Sequence, residues 1–166
     1  MAESHSFLLQ GGMVCDRIGK NVEGENAMKD MELAQQMLKE GGYTCVACKN
    51  GLVHTATHRG VRPLLNWLDE GVDLMGACVA DKVVGRGAAF LYRLLGVRCV
   101  YGAVMSVPAV KVLRSGGIEA QWGLLTEGIR NRDNTGPCPM EYSTMVTDEP
   151  EEALMIIRAE LNMLGR

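Results

Sequence analysis

Gly76–Gly96 reads GACVADKVVGRGAAFLYRLLG, and the fold turns on where in this stretch a helix begins. Val84, Ala88, Leu91 and Leu95 recur at helical spacing along one face, and Gly96 supplies a stop. The spacing predicts a helix over Asp81–Leu95 whose first turn holds Asp81 and Lys82, an acid and a base within an apolar run. An acid there complements the helix dipole and can bond free amides, so capping alone accounts for it. The same position suits chemistry: a carboxylate at the mouth of a buried helix, beside a flexible amine, can act as general base or bind a substrate's polar edge. Gly85, Gly87, Ala88 and Ala89 carry little bulk, so this helix can lie close to a sheet or a second helix.

Working outward, Tyr43–Gly60 reads as two short strands joined at Asn50-Gly51, a dipeptide that supplies the positive φ angles of a tight hairpin turn. Before it, Asn26 is placed to cap a helix with Met31, Ala34, Met37 and Leu38 on one face, ended by Gly41-Gly42. Residues 1–25 show no sustained periodicity and are expected to form an extension or loosely attached arm, leaving 26–166 as a single domain. Pro63–Glu70 makes a short helix closed by Gly71. Val97–Ala103 is β-rich, Pro108–Leu113 helical, and Ile118–Leu124 another strand. A last helix is capped by Thr147 or Asp148, with Pro150 in its first turn and Ala153, Ile157, Leu161 and Leu164 along its buried stripe. A hairpin followed by alternating helices and strands predicts an α/β fold, a three-layer α/β/α sandwich around a mixed sheet.

Composition narrows the function. With 166 residues, 47% of them hydrophobic, the chain can bury one substantial core. A net charge of −3 offers no general attraction for nucleic acid or anionic lipid, and the few aromatic residues argue against a base-stacking surface. No apolar run reaches the roughly 18 to 20 residues that span a bilayer, and the acidic start is a poor secretory signal. A cytoplasmic protein is expected, with no membrane or nucleic-acid partner.

Cys15, Cys78 and Cys99 sit among apolar neighbours and are read as reduced, buried thiols. Cys45 and Cys48, followed by His54 and His58, invite a zinc-finger or redox reading. Strand alternation opposes both, because Cys45 and Cys48 lie three positions apart and should point to opposite faces. No metal or cofactor is expected. The methionines Met28, Met31, Met37, Met155 and Met163 are read as gap-filling core, and Trp67 and Trp122 as anchors at its edges.

The order of elements, a hairpin, then VADK opening a glycine- and alanine-rich helix, then a strand running into VMSVPAVKVL, resembles the cytidine-deaminase superfamily. There a His-x-Glu motif opens one helix and Pro-Cys-x-x-Cys the next, holding zinc and shuttling protons. Carried across, Val79 stands for the zinc-binding His and Asp81 for the catalytic Glu. Pro108 is retained, but Ala109 and Val112 replace both cysteines. The resemblance thus implies the fold without its zinc. Roughly residues 27 to 162 are similar to the bacterial and archaeal domain of unknown function 1893 family, placed in the same superfamily. VADKVVGRGAAFLYRLLGV, MSVPAVKVL, IRNRDNTGPCPME and the Pro-Glu-Glu-Ala-Leu of the last helix carry this likeness, and no established reaction comes with it.

Ile129–Glu141, IRNRDNTGPCPME, is rich in turn formers and polar groups. Arg132 can pair with phosphate or carboxylate, as can Arg130; Asn131 can read an amide or base edge; Cys138 and Glu141 can form a reactive or ligand-ordering pair. The candidate site therefore comprises Asp81, Lys82, Cys138 and Glu141 as catalytic residues, with Ser106, Pro108, Asn131 and Arg132 as ligand-binding residues. Two functions stay open: a zinc-free deaminase-like domain binding a nucleotide or related phosphate-bearing small molecule, or a non-catalytic binding or regulatory module for which a homodimer is one candidate assembly.

Overall fold

The computed structural model describes the backbone of residues 4–165 and the side chains of 22–165. Helix α1 (Ser4–Glu40) leads into the hairpin β1 (Cys45–Lys49) and β2 (Leu52–Ala56), then α2 (Arg62–Asp69). Two strand–helix units follow, β3 (Cys78–Val84) with α3 (Arg86–Leu95) and β4 (Cys99–Ser106) with α4 (Val107–Ser115). Strand β5 (Glu119–Thr126), the short α5 (Pro139–Ser143), a 3₁₀ turn at Thr144–Val146 and α6 (Pro150–Met163) complete the chain.

The five strands form one mixed sheet in the order β2-β1-β3-β4-β5. β1 runs antiparallel to β2 and β3, whereas β3, β4 and β5 are parallel. Asn50 and Gly51 turn the hairpin with φ of 50° and 80°, as their sequence predicts. On one face Ala34 and Leu38 of α1 pack on Val46, Cys48 and Ala80. On the other, Ala47, Val79 and Val100 meet Phe90, Leu91 and Leu113 of α3 and α4 in the main core, which Ala153 and Ile157 of α6 extend. The expected α/β sandwich with its mixed central sheet is the observed one.

Four expectations change. Asp81 and Lys82 lie in strand β3, not in a helical turn, because α3 opens only after Gly85. Asn26 lies inside α1; with the chain already helical upstream, its amide has a carbonyl partner one turn back and needs no cap. Cys78 and Cys99 are register partners across β3 and β4 and are joined as a disulfide, with Cα atoms 4.8 Å apart. Met28, Met155 and Met163 are exposed, while Met31, on α1, is buried against Cys78 and Cys99. The side chain of Cys15 lies outside the described residues.

The β3, β4 and β5 ladders share an irregularity. Asp81 pairs with Gly102, which pairs with Trp122, and regular pairing resumes at Val83, Val104 and Leu124. Across this break the side-chain alternation reverses, so Val79 and Val84 both enter the same core.

Candidate functional site

A cavity of about 580 Å³ opens where β3 passes into α3. Its walls come from the start of β1, the turn before α2, the end of β3, the first turn of α3, the segment 129–141 and the end of α6.

Asp81 is 9% exposed and faces α3. Its Oδ2 accepts the Tyr92 hydroxyl at 2.6 Å and its Oδ1 the Val83 N–H at 3.2 Å. Burial raises its pKa to about 6, against the lowering pull of those hydrogen bonds. The Tyr92 oxygen also lies 3.3 Å from Cys45 Sγ. Desolvation, with the nearby Asp81 charge, pushes both the Tyr92 phenol and the Cys45 thiol well above their ordinary values. Cys45, Tyr92 and Asp81 thus form a buried polar chain with cavity-lining groups at both ends. Cys48 points to the opposite face of β1, bonded to Asp30, as strand alternation requires.

Glu141 enters from the first turn of α5 and is 5% exposed. Its Oε2 accepts the Arg86 N–H at 2.7 Å, serving one of the free amides that open α3. Its Oε1 is buried and has no hydrogen-bond partner among the described residues. The Arg86 side chain fixes this arrangement from behind, donating to the carbonyls of Thr144 at 3.0 Å and Thr147 at 2.6 Å and pairing with Asp148 at 3.0 Å. Neither expected cap of the last helix serves as one: its N-cap is Glu149, without a side-chain cap bond, Asp148 is engaged with Arg86, and Thr147 Oγ1 accepts the amide of Glu149 itself at 3.1 Å, ahead of the first turn.

Segment 129–141 is a closed loop. Cys138 N–H donates to Ile129 O and Asn131 N–H to Gly136 O, about an Arg130–Pro137 bridge. The Asn131 side chain is spent inside it, its Oδ1 accepting from the Thr135 and Gly136 amides. Arg130 donates to Asn134. Arg132 is exposed and Cys138 half-buried, both on the cavity lining.

The structure therefore gathers Asp81, Lys82, Asn131, Arg132, Cys138 and Glu141 round one cavity. Ser106 and Pro108 stay outside its lining; Ser106 is fully buried and its Oγ caps α4 by accepting the Ala109 N–H at 3.2 Å. Sequence reasoning missed Tyr92 and the pair Arg59 and Arg62, which flank a turn at Gly60 with φ of 76°. The signal was there in His58-Arg59-Gly60-Val61-Arg62, three basic side chains around one glycine.

Because α3 opens at Gly85-Arg86-Gly87, the correspondence of Val79 and Asp81 with a zinc-binding helix start does not hold. Neither that opening nor Ser106–Ala109 at the opening of α4 carries a Cys or His, and among the described residues no three metal-ligating side chains gather. These helix starts do not fit zinc.

The fold and cavity define an α/β domain with a pocket of largely apolar walls and several charged side chains at the end of a parallel strand. Residues 33–161 match the model of the domain of unknown function 1893 (DUF1893) family, and the chain belongs to that family. The crystal structure of a DUF1893 family protein from Thermotoga maritima matches with a TM-score of 0.73 at 21% identity, covering 80% of this chain and 90% of that one. A diaminohydroxyphosphoribosylaminopyrimidine deaminase/5-amino-6-(5-phosphoribosylamino)uracil reductase, also from Thermotoga maritima, matches with a TM-score of 0.38 at 19% identity, over 60% of this chain and 37% of that one. Among curated proteins none matches.

Proposed function

We propose that the cavity binds a nucleotide or a related phosphate-bearing small molecule. One observation carries this reading: Arg59, Arg62, Lys82 and Arg132 all line the cavity, and none of their side chains has a hydrogen-bonded or ion-pair partner among the described residues. In a chain of net charge −3, four unengaged cations round one pocket form a local anion-attracting field. Arginine forks match phosphate oxygens in pairs, and the apolar wall of Val61, Leu64, Met140 and Leu161 leaves room for a ring or sugar beside them. Asp81, with its raised pKa, is the group in this site suited to take or give a proton, and Cys138 the candidate nucleophile. The hairpin followed by two parallel strand–helix units supports placing the domain in the deaminase-like superfamily, without zinc chemistry.

Calorimetric titration with ribose 5-phosphate tests the binding. Wild-type protein should bind with an affinity that falls as salt rises, and Arg59→Ala or Arg132→Ala should each weaken it about threefold to tenfold. No binding, or binding indifferent to both substitutions, would sink the proposal.

A further inference from the structure

We infer that the ligand of this cavity is a heterocycle that presents an N–H donor to Glu141 Oε1 while its phosphate engages the cavity's cations. This inference rests on the phosphate reading and names the substrate class more closely.

Glu141 is fastened at one oxygen only. Oε2 is held 2.7 Å from the Arg86 amide, whereas Oε1 is buried with nothing to accept from. Folded proteins rarely leave a buried acceptor unmet, so this one marks where a donor belongs. The neighbouring glycines locate the two oxygens. A Cβ at Gly85 would stand 2.5 Å from Oε2, so that side is closed by the helix start itself. Oε1 lies toward Gly128, whose Cβ would stand 3.9 Å from it, and Glu141 is part of the cavity lining.

The chemistry of the carboxylate then selects the incoming group. Phosphate oxygens are acceptors and anionic; Glu141 repels them, and the unengaged cations attract them. A ligand satisfying both must be bipolar, with its anionic group among the arginines and a donor at Glu141. Hydroxyl and N–H groups can both donate, but much of the cavity wall is apolar, including Ile129, Met140 and Leu161. A flat ring suits such walls, and a hydroxyl-rich sugar leaves its polar groups unmet there.

The test compares GMP, whose ring offers adjacent N–H donors, with ribose 5-phosphate, on wild-type protein and on Glu141→Gln. Wild-type protein should bind GMP at least about tenfold more tightly. In the Gln variant the side-chain carbonyl must still serve the Arg86 N–H, which turns the NH₂ toward the ligand, donor against donor. The GMP advantage should then vanish while ribose 5-phosphate binding is kept or strengthened, since a negative charge has left the cavity. Equal binding of the two probes by wild-type protein, a comparison that needs no variant to fold, overturns the N–H inference and leaves the phosphate reading standing. A GMP preference that survives the substitution in a folded variant also overturns it. Failure of both probes to bind overturns both readings.

Discussion

Tyr92 of α3 reaches back across the core to donate its hydroxyl to Asp81 of β3 at 2.6 Å, tying the cavity's buried carboxylate to the helix that follows its own strand. This bond opposes the desolvation that raises the Asp81 pKa to about 6. Tyr92→Phe removes the donor and keeps the ring. Carbon-13 NMR titration of the Asp81 carboxyl should show its midpoint moving further up. Denaturant unfolding at neutral pH should show a loss of about 1–3 kcal/mol, the usual cost of leaving a buried charged acceptor short of a donor. An unmoved midpoint would mean that the hydroxyl does not set the carboxylate's charge.

The same carboxyl makes stability depend on pH. Its folded value, about 6, lies above its ordinary 3.8, so between these limits the folded protein holds a proton that the unfolded chain has released. Its stabilising contribution is full at the acid end, is lost as pH rises through about 6, and stays flat above. Asp81→Asn cannot ionise. Wild-type protein should therefore lose about 2 kcal/mol relative to the variant between roughly pH 4 and pH 7, read from paired unfolding curves. Parallel curves across that range would contradict the assignment.

Asp30 is a third buried carboxylate, away from the cavity lining. From α1 it accepts the Asn50 and Gly51 amides at 2.7 and 2.9 Å and the Cys48 thiol at 3.2 Å, fastening the hairpin turn to the helix that covers it. Asp30→Ala orphans all of these donors. We expect a loss of about 2–4 kcal/mol in thermal unfolding, with hydrogen exchange at Asn50 and Gly51 rising first. Protection there equal to that of the wild type would show that the turn holds without the helix.

Gly85 has φ of −99° and ψ of −179°, extended backbone open to any residue, so its smallness serves space alone. Since its Cβ would fall 2.5 Å from Glu141 Oε2, Gly85→Ala must displace that carboxylate from the Arg86 amide. The expected cost is about 1–3 kcal/mol of stability, with a matching loss of ligand affinity. A crystal structure of the variant with Glu141 unmoved would refute this.

Most of the fold is legible in the sequence because its punctuation is local. Asn50-Gly51, Gly71, Gly96 and the prolines near the starts of α2, α4 and α6 each fix a boundary by their own backbone chemistry. The start of α3 is misread for an identifiable reason. A strand announces itself by alternation, and in β3 the alternation reverses, leaving Lys82 and Val83 both exposed between the buried Asp81 and Val84. Val84, Ala88, Leu91 and Leu95 then continue a helical spacing that belongs to α3 only from Arg86 onward. At the cavity, six of the eight expected residues converge, because loop composition and an acid beside a base are visible in one dimension. Tyr92, Arg86 and Asp30 were not visible, since their importance lies in partners 11, 55 and 20 positions away.

The break in the ladder at Lys82, Ala103 and Gly123 has its own outcome for how the domain tolerates change. A regular strand gives each layer every second residue, so an insertion or deletion inverts everything beyond it. Here the inversion is already built in, at the same level of three adjacent strands, and it divides each strand into two halves with independent phase. In β3 the half before the break is sandwiched between α1 and the opposite helices, and the half beyond it runs into the cavity and the start of α3. Substitutions at Lys82 or Val83 can therefore reshape the pocket while the packing of Val79 and Ala80 keeps its register. The break acts as a seam along which a stable core and a variable binding end are joined.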